Sequence, residues 1–200
     1  ERLREIIVVD NGSTDKTAYV AKKRGARVVD ETLRGYGAAC LKGISELDDP
    51  EVVVFIDGDF SDFPEEIESL VKPIVENRAD FVLGSRMVFS ESRAALLPQA
   101  RYGNLLAVFL IRLFFQYRFT DLGPFRAIRY QSLKEISMTD KNFGWTVEMQ
   151  IKAVNQGLRI MEIPVHYRKR IGVSKITGTI SGTFKAGTKI IFTIFKYLLV

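Results

Sequence analysis

Three aspartates, Asp57, Asp59 and Asp62, fall within six positions of the segment FIDGDFSDFPEE, directly after the apolar run Val52 to Ile56. Carboxylates so crowded repel one another and stay ionised cheaply only with a cation between them, and hard oxygen donors suit Mg²⁺ or Mn²⁺. Gly58 keeps the intervening side chain out of the way. The competing use of aspartate here is a turn or a helix cap. That use fits Asp62, two residues before Pro64, whereas Asp57 and Asp59 fit a metal better.

The complementary charges come later. Arg168, Lys169, Arg170 and Lys175 place four cations within eight positions, and Arg86 after FVLG and Arg126 in GPFR could join them. Such a cluster is ordinarily solvated surface, but beside carboxylates and a metal it would suit phosphate groups. His166 is the sole histidine and stands in an apolar run, which favours a structural role. Neither a Ser/His/Asp set nor a Cys/His pair nor a zinc ligand cluster is visible. RGYGAAC does not make a dinucleotide fingerprint, because Cys40 replaces the third glycine and the segment does not follow the first strand. Its glycines, Gly35 and Gly37, serve either a plain turn or close approach of the backbone to a ligand.

The elements that must position these residues alternate. EIIVVD reads as a strand ending at Asp10, followed by NGST, where Ser13 or Thr14 can cap a helix that Gly25 closes. ARVVD, a helix near residues 38–47, the strand 52–56, a helix opened by Pro64 with Ile67, Leu70, Val71, Ile74 and Val75 on one face, and the strand DFVLGSR follow. TDLGPFRAIRY reads as a loop entering a strand, GWTVEMQIKAVNQG as a helix ended by Gly157, and LRIMEIPVHYRKR as a further strand. Apolar strands alternating with helices predict an α/β, Rossmann-like fold with a mostly parallel sheet covered on both faces and ligands beyond the strands' carboxyl ends, where Asp10 and Asp57 both stand.

The 200 residues, 46% hydrophobic and 26% charged, suit one domain with one sizeable core and exclude a disordered chain. A net charge of +5 calls for a partner carrying negative charge: nucleic acid, an anionic membrane face or a phosphorylated substrate. Nucleic acid has charge alone in its favour. LLAVFLIRLFF at 105–115 and the lysine-bearing segment at 183–200 are too short or too charged to span a membrane, and suit either the core or a membrane surface. The pair, with the basic balance, favours the surface. One cysteine, Cys40, and no secretory signal point to a reducing setting.

VVDNGSTDKT, GYGAAC, DGDFSDFPEEI, GSR, TDLGPFRAI, WTVEMQ and EIPVHYRKRIGVSKI occur in an order that resembles family 2 glycosyltransferases, in particular the dolichol-phosphate mannose synthase and polyprenyl-phosphate branch. The resemblance covers nearly the whole chain. It implies a GT-A fold and metal-dependent, inverting transfer of a sugar from a UDP- or GDP-linked donor to a lipid-linked phosphate. The expected place is the cytoplasmic face of a membrane, with the chain either peripheral or anchored by segments absent from this sequence. It further implies that Asp10, Gly12, Gly35, Gly37 and Asp57 serve the nucleotide, that Asp57 and Asp59 hold Mg²⁺ or Mn²⁺, and that Asp121, Arg126 and Glu148 stand near the reacting groups. Arg86, Arg101, Arg168, Arg170 and Lys175 are then expected to meet the acceptor phosphate. An ionised phosphate acceptor needs little help from a base, so Asp121 and Glu148 are expected to position substrates, with base catalysis the weaker role; a sugar hydroxyl acceptor would require one of them as base. The family's opening strand and P-x-x-N-E segment are not found before ERLREIIVVD, so the chain is expected to be a fragment without its first strand, with a donor-poor or non-catalytic partner subunit as the alternative.

Overall fold

The computed structural model describes residues 3–172 and 180–199. It is an α/β fold, and its first half alternates as the sequence predicts: β1 (Ile7–Asp10), α1 (Thr17–Lys23), β2 (Arg27–Asp30), α2 (Tyr36–Ser45), β3 (Val52–Phe55), a 3₁₀ turn at Pro64–Glu66, α3 (Ile67–Val75) and β4 (Phe81–Ser85). α4 (Ser90–Ala95), α5 (Pro98–Phe115), β5 (Arg126–Arg129), α6 (Tyr130–Ile136), α7 (Trp145–Asn155), β6 (Ile160–Pro164) and α8 (Ile180–Leu198) follow. α1 begins at Lys16 with no side-chain cap, so neither Ser13 nor Thr14 caps it. Its other end behaves as expected, with Gly25 at φ +87° donating its N–H to Lys22.

The sheet is mixed, which corrects the expectation of mostly parallel strands. β1 pairs with β2 in parallel, while the other strands run in the order β3-β5-β4-β6, with β5 antiparallel to both its neighbours and β4 parallel to β6. β5 is reversed because the chain approaches it from the carboxyl edge. Arg126, its first residue, pairs with Phe55, the last of β3, and with Leu83 of β4. The same reversal sets the segment 120–125 at the edge where β3 releases Asp57. Apolar periodicity carries no strand direction, so this was not legible in sequence.

Period-two alternation divides the core between the sheet's faces. Val53, Phe81, Leu83 and Ile128 turn to one side and pack with Ala107 and Ile111 of α5, Ile136 of α6 and Trp145, Met149 and Ile151 of α7. Val82 and Ala127 turn to the other and pack with Leu70 and Ile74 of α3. Helices thus cover both faces as expected, and the predicted face of α3 is the buried one.

Two long helices keep apolar surface outside. α5 buries Asn104, Ala107 and Ile111 and exposes Tyr102, Leu105, Leu106, Phe109 and Leu113. α8 packs against α5, with the Phe114 and Phe195 rings 5.4 Å apart, and exposes Phe184, Phe192 and Leu198. These are the segments expected at 101–119 and 183–200. Among the described residues no helix is long and apolar enough to cross a membrane.

Candidate active site

The loop after β3 is shaped by its own aspartates. Asp59 accepts from the Ser61 N–H at 3.0 Å, closing a turn that holds Phe60 at φ +69°, where a bulky residue is strained. The strain is countered from above. The Arg168 guanidinium lies 3.3 Å from the centroid of the Phe60 ring and 4.3 Å from that of Phe63, and its Nε–H donates to the Phe60 carbonyl at 2.6 Å. The basic segment after β6 is therefore fastened onto the carboxylate loop. Arg168 N–H donates to Ser61 O at 3.0 Å, Ile171 N–H to Asp59 O at 2.9 Å, and Asp62 forms a bridge with Tyr167. Arg170 makes an ion pair with Asp59 Oδ2.

Asp62 does not cap the helix opened by Pro64, which begins at Phe63 without a side-chain cap. Its side chain turns inward, 2% exposed, and its Oδ1 has no hydrogen-bond partner. Burial, reinforced by Asp57, pushes its pKa up to about 7. Burial and then Asp59 push Asp57 up to about 6, opposed by Arg170, Arg86 and a hydrogen bond from Tyr36. Among the described residues the three carboxylates share a single ion pair, that of Arg170 with Asp59. Among the described residues no three His, Cys, Asp or Glu side chains form a complete metal cage. Mg²⁺ and Mn²⁺ sites commonly use one or two carboxylates and take their remaining ligands from substrate phosphates and water. The orphan oxygen of Asp62 and the raised pKa values fit a cation bound at Asp57 and Asp59 in that manner.

A second charged group lies beside the first and is built differently. Asp121 is fully buried and accepts from the Arg86 backbone N–H at 2.9 Å, Arg86 Nε at 2.7 Å and a second guanidinium nitrogen at 2.8 Å. Burial opposes the Arg86 charge, but Asp121 outweighs it and holds the guanidinium above its usual pKa. Arg86, expected to meet phosphate, is thus committed to Asp121. The backbone around Asp121 is fixed by Asn104, which accepts from Leu122 N–H at 2.8 Å and donates to Thr120 O at 3.1 Å, and by Gln150, which donates to Asp121 O at 3.1 Å.

Arg126 and Glu148 are both buried and bonded within the protein. Arg126 is 0% exposed and donates to the carbonyls of Gly123, Leu122 and Thr146, lying near the Phe81 and Trp145 rings; burial lowers its pKa to about 10. It ties the segment before β5 to the start of α7 and does not reach an opening. Glu148, also buried, accepts from Thr139 N–H at 3.0 Å, Thr139 Oγ1 at 2.7 Å, Asp140 N–H at 2.6 Å and the Tyr197 hydroxyl at 2.6 Å, and pairs with Lys152 at 2.9 Å. Burial pushes its pKa up, but these donors together hold it below the usual value.

Gly35 and Gly37 serve a protein contact. A Cβ on Gly35 would lie 2.2 Å from Lys141 O, and one on Gly37 2.1 Å from Asp140 O. The amides that open α2 are used there too, with Ala38 N–H donating to Lys141 O at 2.9 Å. The turn after β1 holds Asp10, which accepts from Ser13 N–H at 2.6 Å, and that bond keeps its pKa below the usual value. Gly12, at φ +80°, lies under Arg34, which donates to the carbonyls of Asn11 and Gly12. Asn11 binds Glu31 O, Leu33 O and Gly35 N–H, so it locks β1 to the segment 31–35. Neither Asn11 nor Arg34 stood out in sequence, since each makes its contacts more than twenty positions away or nearly so.

The His166 Nδ1 is 2.6 Å from Glu66 Oε1, and its ring stacks on Phe89. Arg101 is exposed on the first turn of α5, and nothing among the described residues ties it to the carboxylates. Lys175 lies outside the described residues.

The chain and its fold have counterparts among known proteins. The chain is 33% identical over 181 residues to an uncharacterized glycosyltransferase of Mycobacterium tuberculosis, covering 90% of this chain and 81% of that one. It is 33% identical over 177 residues to a dolichyl-phosphate hexose transferase of Haloferax volcanii (86% and 73% covered) and 29% identical over 191 residues to an undecaprenyl-phosphate mannosyltransferase of Micrococcus luteus (89% and 78%). Its fold matches the crystal structure of glucosyl-3-phosphoglycerate synthase from M. tuberculosis with phosphoglyceric acid at a TM-score of 0.77, with 20% identity, over 99% of this chain and 70% of that one. A second structure of that synthase, in complex with Mn²⁺, UDP-glucose and phosphoglyceric acid, matches at 0.75 with 21% identity, over 99% and 70%. Residues 1–137 match Glycosyl transferase family 2, and the chain belongs to that family of enzymes, a glycosyltransferase on a GT-A fold.

Proposed function

We propose that this glycosyltransferase moves a sugar from a UDP- or GDP-linked donor to a polyprenyl or dolichyl phosphate, with inversion at the anomeric carbon. The observation that carries this reading is the commitment of the two buried carboxylates outside the 57–62 loop that were candidates for a base. Asp121 is chelated by Arg86, and Glu148 is held by a ring of donors. A hydroxyl acceptor would need one of them as a proton acceptor. A phosphate monoester, with a second pKa of about 6, arrives largely ionised and needs none. Its oxygen attacks the anomeric carbon as the bond to the nucleoside diphosphate breaks.

Asp57 and Asp59 would hold Mg²⁺ or Mn²⁺, which supplies positive charge against the departing diphosphate when bound. Asp10 and the Asn11-locked turn suit the nucleotide's polar edge. Arg168 and Arg170, fastened over the carboxylate loop, suit the acceptor phosphate. The apolar outer faces of α5 and α8, accompanied by Arg101, Arg112, Arg118, Lys185, Lys189 and Lys196, suit peripheral attachment to the cytoplasmic face of a membrane, where a lipid acceptor is found. Named relatives that act on dolichyl and undecaprenyl phosphate support the acceptor class.

The test is sugar transfer in detergent, with Mn²⁺ or Mg²⁺, a panel of UDP- and GDP-sugars and a short polyprenyl phosphate. Product from one donor, abolished by chelator, is the expected result. Transfer to a saccharide hydroxyl with none to lipid phosphate would overturn the acceptor assignment.

A further inference from the structure

Arg170, suited to the acceptor phosphate in the reading above, is already paired with a carboxylate of the proposed metal site. Of Arg86, Arg168 and Arg170, two are engaged elsewhere. Arg86 chelates Asp121, and Arg168 lies between Phe60 and Phe63 with its Nε on a carbonyl. Of the three, Arg170 alone makes an ion pair with a carboxylate of the loop, at Asp59 Oδ2. That oxygen has no hydrogen bond besides this ion pair, because the turn to Ser61 uses Oδ1. Among the described residues no other cation makes an ion pair with Asp57, Asp59 or Asp62, although the loop carries three carboxylates and an orphan Oδ1 on Asp62.

We infer that Arg170 is a displaceable counter-cation of the metal site, an inference that rests on the reading of Asp57 and Asp59 as the divalent-ion ligands. A guanidinium on Asp59 Oδ2 and a metal ion on the same oxygen exclude each other. Without an ion, Arg170 compensates the loop. Once an ion is bound, the guanidinium leaves Asp59 and its five donors become free for an anion. It does not travel far, because the neighbouring backbone is fixed to the loop through Ile171 N–H and Asp59 O at 2.9 Å. One residue therefore couples two binding events. Divalent ion makes Arg170 available to phosphate, and phosphate on Arg170 removes the competitor for the ion; by linkage the two effects are equal.

The experiment measures Mn²⁺ binding to the whole chain by the EPR signal of free Mn²⁺, with and without UDP or GDP, and with and without inorganic phosphate. Wild type is expected to bind Mn²⁺ several-fold tighter when phosphate is present. Arg170→Gln is expected to bind Mn²⁺ alone about five- to tenfold tighter than wild type, the scale of one partly buried ion pair, and to lose the response to phosphate. Arg170→Lys keeps a competing charge and should stay near wild type. Unchanged or weaker Mn²⁺ binding by a folded Arg170→Gln protein overturns the inference and leaves the metal reading intact. Absence of Mn²⁺ binding in every protein, with nucleotide present, overturns both. Tighter Mn²⁺ binding by Arg170→Gln in a protein that ignores lipid phosphate would uphold the counter-cation and overturn the acceptor assignment.

Discussion

The loop at residues 57–62 and the group formed by Asp121, Arg126 and Glu148 both put charge inside the molecule, and they do so in opposite ways. In the second group each charged side chain is held by hydrogen bonds: two guanidinium nitrogens and an amide on Asp121, carbonyls on Arg126, and amide, hydroxyl and ammonium donors on Glu148. In the first, three carboxylates share one arginine, two have raised pKa values, an oxygen has no partner, and Phe60 sits in a strained conformation. A satisfied network is rigid and holds a shape. An unsatisfied one stores a demand for charge that a ligand can meet. The contrast separates acidic residues whose bonds are satisfied within the protein from those proposed to bind the metal ion.

Substitutions should therefore separate the two regions by what they damage. The largest effect on activity is expected from Asp59→Asn, which should lower metal-dependent transfer on the order of 10²–10³-fold while leaving the thermal unfolding curve close to wild type. Normal turnover by this variant would break the comparison outright. Arg86→Ala strands a buried carboxylate and should cost about 3–5 kcal/mol of stability, read by denaturant unfolding. A variant as stable as wild type would mean that Asp121 is not framework.

A smaller effect, of opposite sign, sharpens the same contrast. Asp62 carries a proton in the folded state up to about pH 7, whereas an unfolded aspartate loses it near pH 4. Its raised pKa therefore contributes stability that is complete at low pH and lost as the pH rises through about 7. Without divalent ion, Asp62→Asn should abolish much of this decline and raise the Tm at pH 8 by several degrees, from about 2–4 kcal/mol. Saturating Mn²⁺ should shrink the difference. A variant that melts below wild type at pH 8 would show that the Asp62 charge is compensated after all. The mildest effect is expected from Phe109→Glu on the exposed face of α5, which should reduce sedimentation with anionic vesicles severalfold and leave Mn²⁺ binding untouched. Equal sedimentation of the two proteins would remove α5 from the membrane-facing surface.

Legibility in sequence followed the same division. The spacing of Asp57 and Asp59 after an apolar run, the basic cluster after β6, the alternation of strands and helices and the amphipathic segments at 101–119 and 183–200 were all readable, because each depends on local residue types and periods. Asp62 was misread because a buried aspartate and a capping one look alike before proline. Gly35 and Gly37 suggested a ligand, yet the backbone that comes close to them belongs to residues 140–141, about a hundred positions away. Arg126 and Glu148 could be located but not assigned, since burial and partners are not properties of a residue's neighbours in the chain.

Hydrophobic period and residue chemistry are written along the chain, and they were enough for the α/β class, the family, the order of most elements and the segments that carry charge. The tertiary structure alone decided that β5 runs backwards and brings Asp121 to the edge beside Asp57, that Arg86 is committed to Asp121, and that Arg170 lies on Asp59. Strand direction, ion pairing and desolvation depend on which distant segments meet, and a carboxylate becomes framework or ligand according to whether those segments bring it enough positive charge.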